Sequence, residues 1–117
     1  MKLIYKLAPR SLWDDMSVKG VFTGAPVDVA DGYIHFSTAE TVAETARKWF
    51  IDELDVLLIA IDETKLPEDG LKYAPSRGGA LFPHLYADLD FDAVAWVKPL
   101  PRSADGGFDF SGLLEGN

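Results

Sequence analysis

Apolar positions fall into short runs of differing period. Lys2 to Leu7 alternates loosely and is rich in Ile, Tyr and Leu, which predicts a first strand. Pro9, with no amide to donate to a ladder, closes it. Ser11 is placed to cap a short helix, with Asp14 three residues on, Leu12 and Met16 on one face and Gly20 as the stop. Val21 to Ala30 has no clear period, and Gly24 and Pro26 mark turns. Gly32 to Phe36 predicts a second strand. Ser37 to Glu40 has the form of a capping box, and Val42, Ala43, Ala46, Trp49 and Phe50 follow at helical spacing. Asp55 to Ile61 is an almost unbroken apolar run, as expected of a central strand buried on both faces.

Pro67, Asp69 and Gly70 then predict a turn, and Leu71 to Tyr73 a short strand. Leu81 to Tyr86 is apolar around Pro83, which predicts an edge segment or a turn. Ala93 to Val97 is a last strand, halted by Pro99 and Pro101. This order predicts a single α+β domain over residues 1–117, with two short helices on compact mixed or antiparallel sheets. Residues 103–117 are Gly-rich and predict a tail that packs as an arm or stays mobile.

Composition narrows the function classes. The chain has 117 residues, of which 48% are hydrophobic and 26% charged, enough to build one core without a metal or disulfide staple. It has no cysteine, which excludes a disulfide framework, a thiolate metal site and a cysteine nucleophile. The net charge of −8 argues against nucleic acid and against an anionic membrane surface as partners. No apolar run is long enough to span a membrane, and Met1 to Leu7 does not have the form of a signal peptide. A cytoplasmic location is the expectation. A small-molecule ligand remains open, as do a protein partner and a homo-oligomer.

The candidate chemistry lies in two histidines, His35 and His84, each set among apolar and aromatic residues. Period two places Tyr33, His35 and Ser37 on one strand face, an imidazole with a phenol and a hydroxyl. Imidazole titrates near neutral pH and suits general acid–base work. The alternative is that both histidines are buried hydrogen-bonders that hold the sheet to its loops. The histidine spacing matches no standard metal-ligand pattern, so no metal site is expected. No nucleophile elbow is present, and Ser37 reads better as a helix cap. Arg77, between Ser76 and Gly78, offers a guanidinium fork for phosphate or carboxylate. Tyr5, Tyr73 and Tyr86 offer rings or hydroxyls, although aromatics at strand positions are more often core. Asp88, Asp90 and Asp92 lack the glycine and glutamate of a calcium loop and read as a solvated turn.

Gly32-Tyr33-Ile34-His35-Phe36-Ser37, followed by a helix, resembles a signature of the bacterial family known as domain of unknown function 952. Phe82-Pro83-His84-Leu85-Tyr86 resembles its second signature, and Ile4 to Leu7 and Ala93 to Leu100 fit its ends. Two positions depart from the family pattern: Lys6 stands where a histidine is common, and Ala74 where a glutamate is common. The resemblance implies a compact relative of the ADP-ribosyltransferase fold, whose cleft takes a nicotinamide dinucleotide between two small sheets. It implies NAD or ADP-ribose as a possible ligand, with His35, Ser37 and Thr38 as binding groups. The activating glutamate of such clefts has no counterpart at a matching position.

The candidate set is therefore His35 and His84 for catalysis, with Tyr5, Lys6, Ser37, Thr38, Arg77 and Tyr86 for ligand binding. Two functions compete. One is binding or processing of an ADP-ribose-type ligand. The other is a noncatalytic module for a small anion or a protein, with structural histidines.

Overall fold

The computed structural model describes residues 2–75 and 79–114. Its frame is a three-stranded antiparallel sheet in the order β1 (Leu3–Pro9), β4 (Val56–Asp62), β8 (Val94–Pro99). Every residue of β4 is buried, as the unbroken apolar run predicts. Alternation along the strands sends side chains into two separate cores. Ile4 and Ala8 of β1 join Leu57, Ile59 and Ile61 of β4 on one face. Leu3, Tyr5 and Leu7 join Val56, Leu58 and Ala60 on the other.

The first core is closed by α1 (Arg10–Lys19), by the pair β2 (Val21–Phe22) and β7 (Leu89–Asp90), and by a second three-stranded sheet. That sheet runs in the order β3 (Ile34–His35), β6 (Leu81–Leu85), β5 (Leu71–Pro75), again antiparallel. The second core is closed by α3 (Val42–Trp49) and by Phe108, Phe110, Leu113 and Leu114 of the C-terminal segment. Among the described residues no helix is long and apolar enough to cross a membrane.

Several expectations change. The stretch from Val21 holds β2 and a third helix, α2 (Pro26–Asp31), too short for periodicity to register. Ser11 does not cap α1; the helix starts at Arg10 behind Pro9, and the Arg10 amide donates to the Asp55 carbonyl. Gly20 does end it, at φ 81°. Ser37 is not a cap either, because its backbone pairs with Tyr5 in both directions at 2.8 Å. β6 is the middle strand of its sheet, not an edge or a turn. Pro83 is tolerated there because its carbonyl faces Phe36, just where β3 ends, so its missing amide breaks no ladder bond.

On α3 only Val42 and Ala46 are buried, and Phe50 packs behind them. Ala43 is exposed, and Trp49 is 76% exposed. Helical spacing gives the angle of a side chain but not its reach along the axis, and Trp49 is the last residue of a two-turn helix. Replacing it is therefore expected to cost little. Trp49→Ser should change the urea-unfolding free energy by no more than about 0.5 kcal/mol. A loss of several kcal/mol would restore Trp49 to the core.

Candidate functional site

The site starts from a lysine in an apolar strand. Lys6 lies on the same face of β1 as Ile4 and Ala8 and is 5% exposed, with the Phe22 and Phe36 rings about its ammonium. A charge so placed requires a partner. Its partner is Asp28 of α2, 1% exposed, at 2.9 and 3.1 Å from the two carboxylate oxygens. The third donor of the ammonium goes to the His35 carbonyl at 2.9 Å.

Asp28 is tied on every side. Its Oδ2 accepts the Ala25 amide at 2.7 Å, closing the start of α2. Its Oδ1 accepts the His35 amide at 3.0 Å and faces His35 Nδ1 at 2.6 Å. Burial by itself would raise this carboxyl. The bonds from His35, the Lys6 charge and the Ala25 amide outweigh it and hold the group at about 2, below its ordinary 3.8. Lys6 is pushed the other way by the same burial, below the ordinary lysine value, with Asp28 opposing the shift. Gly24 permits the arrangement. It has φ 122°, and a Cβ there would stand 2.9 Å from the Asp28 Cβ.

Asp28 thereby fixes the His35 ring. Nδ1 points at the buried carboxylate and Nε2 points outward, where Asp31 Oδ2 lies at 2.9 Å. Each ring nitrogen of His35 thus faces a carboxylate oxygen. His35 is one-third exposed and Asp31 nearly half, so the outer partner borders solvent. His84 sits across the β3–β6 pair, its ring centroid 5.7 Å from that of His35. Burial first, then the nearby His35, lowers its pKa below the ordinary 6.5, against a smaller opposing pull from Asp31. Tyr33 stacks on His84 at 4.1 Å and 17°, and Tyr86 follows at 5.1 Å from Tyr33. Tyr33 and Tyr86 also wall a cleft of about 320 Å³ with Thr23, Asp28, Val29 and Asp88, a lining that includes neither histidine. That volume is at the small end of ligand-sized sites.

The remaining candidates are dispersed. Tyr86 is 53% exposed and belongs to the cleft. Lys6 belongs to the site from beneath, through Asp28. Tyr5 points into the second core, fully buried, and its hydroxyl has no partner among the described residues. Ser37 is buried and its hydroxyl donates to Thr45. The expected face of Tyr33, His35 and Ser37 therefore breaks after His35, where the chain leaves β3 to pair with β1. The Thr38 hydroxyl is held by Thr41 at the start of α3. Tyr73 donates to Glu63 away from the histidines. Arg77 lies outside the described residues. Among the described residues no group of three His, Asp or Glu side chains is placed for a metal ion.

Sequence reasoning missed Asp28 and Asp31, and it placed Tyr33 beside His35 without counting it as a site residue. The signal for Asp28 was present: Pro26 followed two positions later by an acid marks a helix start, and Lys6 inside a buried strand demanded an anion.

Asp28→Asn should destabilise the fold by about 3–5 kcal/mol, because it strands the Lys6 charge. The wild-type Asp28 term is present in full above pH ~4 and is lost as pH falls towards ~2, since the folded carboxyl titrates below the unfolded one. Acid-unfolding curves should show that loss in the wild type and not in the variant. Gly24→Ala should cost about 1–3 kcal/mol through its left-handed backbone and the contact with Asp28. It should also displace the His35 ring ¹⁵N resonances; unchanged resonances would mean that Gly24 does not position the pair.

Comparison with known proteins places the chain. A search of the curated proteins finds no match. Among solved structures, the crystal structure of protein CC0527 from Caulobacter crescentus is 42% identical, with a TM-score of 0.90 over 97% of this chain and 98% of that one. A double mutant of CC0527 gives 41% and 0.90 over the same shares. The solution NMR structure of CC0527 gives 43% and 0.82 over 94% of each chain. The family model for a protein of unknown function, DUF952, matches residues 7–97, and the chain belongs to that family.

Proposed function

We propose that this protein binds an ADP-ribose- or nicotinamide-dinucleotide-type ligand in the cleft beside His35 and His84, and that His35 serves there as a general acid–base. The observation that carries the reading is the 2.6 Å contact of His35 Nδ1 with a buried carboxylate. A carboxylate on one imidazole nitrogen fixes the tautomer and stabilises the charged ring while the other nitrogen exchanges a proton. Tyr33, His84 and Tyr86 supply flat surfaces for a base or a nicotinamide ring. Two three-stranded antiparallel sheets around one core support an ADP-ribosylation-like fold. The chemistry falls to His35 because Ala74 stands where a glutamate is common in the family. Once Asp31 gives way to the ligand, His35 Nε2 is the group that takes a proton from a ribose hydroxyl or a water.

The Asp31 carboxylate on Nε2 at 2.9 Å favours a second reading, a noncatalytic binding module in which the ring is held and does not turn over. The two share a ligand and differ in product formation.

Thermal denaturation with ADP-ribose, NAD, AMP and adenosine tests the binding. A ligand at 100 times its Kd should stabilise by about 2.7 kcal/mol. His35→Ala should abolish the shift while the protein still melts cooperatively. No shift with any of the four would overturn the reading, as would an unchanged shift in the folded variant. Binding without product would select the noncatalytic module.

A further inference from the structure

We propose that Lys72 forms, with His84, an anion subsite next to the His35 ring that takes the diphosphate group of the ligand. The idea deepens the reading above and rests on it only for the identity of the rest of the ligand. In the second sheet His35 is registered against His84, and His84 against Lys72. Directly opposed residues of antiparallel strands project to one face, with Cβ atoms about 4.5–5.5 Å apart. The three side chains therefore stand in a row across β3, β6 and β5. The next row, Ile34, Leu85 and Leu71, projects to the opposite face and packs into the first core. The imidazole row is thus the outer face, and Lys72 is exposed on it. Its four-carbon stem lets the ammonium reach over the neighbouring His84 ring.

The row has the donors an anion needs. Lys72 has no ion pair or hydrogen bond among the described residues. Lys2, Lys6, Arg10 and Lys48 are each committed to a carboxylate. The His84 ring nitrogens have no hydrogen-bond partner among the described residues, so the neutral ring has an N–H to offer. The two carboxylates that touch His35 are already engaged: Asp28 by Lys6 and His35, and Asp31 by His35. A chain of net charge −8 repels anions at long range, so it admits one only where a local cation is free. This row is such a place. Its occupant would lie beside the cleft rings, with the attached nucleoside against Tyr33 and Tyr86.

The test is a titration of ¹⁵N-labelled protein with inorganic pyrophosphate, run on the wild type, Lys72→Gln and Lys65→Gln. Lys65 is an exposed lysine in the turn after β4 and serves as the control. Shifts should centre on the Lys72 amide and the His84 ring. Affinity should fall at least tenfold in Lys72→Gln, stay constant in Lys65→Gln, and weaken with added salt. Undiminished binding in Lys72→Gln, or no shift in the row, overturns the subsite and returns Lys72 to the solvated flank of an edge strand. ADP-ribose run in parallel separates the two ideas. Pyrophosphate binding in the row without any ADP-ribose binding would leave the subsite standing and remove the ADP-ribose reading. ADP-ribose binding undiminished in Lys72→Gln would do the reverse.

Discussion

The buried pair of Lys6 and Asp28 is the constraint from which the site follows. It joins the first strand to the short helix α2 through two charges that water does not reach. Such a pair gives little net stability, because desolvating both ions offsets most of their attraction. What it gives is position. Asp28 also accepts the amides of Ala25 and His35, so a single side chain sets the start of α2, the path of β3 and the orientation of the His35 ring. α2 and β3, each too short to be stable alone, are thereby made mutually dependent.

Beneath this hub, the sheet β1–β4–β8 is covered on both faces, and each face serves a different purpose. The second core, under α3 and the C-terminal segment, is built from apolar and aromatic side chains, and the Tyr5 hydroxyl within it has no partner among the described residues. The first core carries the polar hub and supports the sheet that presents His35 and His84. The site is thus built against a rigid wall, which keeps the His35 ring within a narrow range of angles. That is the condition under which an oriented imidazole has value for chemistry.

How much of this was legible in the sequence varied with the source of the signal. β4 was legible because burial on both faces leaves an unbroken apolar run. The glycine stop of α1 was legible because a left-handed residue is required there. α2 was not, since six residues cannot display a helical period. The central place of Pro83 was not, since it depends on where a neighbouring strand ends. The two histidine motifs pointed at the right neighbourhood, and the register of β3 on β6 brings them face to face. The carboxylates that orient His35 were hidden because their partner, Lys6, lies 22 positions away from Asp28 in the chain. Ser37 and Thr38 sit near His35 in sequence yet are turned towards α3 and its start, where the pairing of Tyr5 with Ser37 takes the chain, and Tyr5 itself points into the second core.

The lysine in the first strand has a further consequence while the chain is being made. β1 leaves the ribosome before its partner β4, which lies about fifty residues further on, and β8 follows later still. During that interval Leu3 to Ala8 is an extended apolar segment with both hydrogen-bonding edges open, the kind of sequence that pairs with copies of itself. Lys6 places an unneutralised charge in its middle until α2 and β4 arrive. The residue that orients the finished site thus also guards the nascent strand against premature association, and an apolar replacement would remove that guard however well it packed.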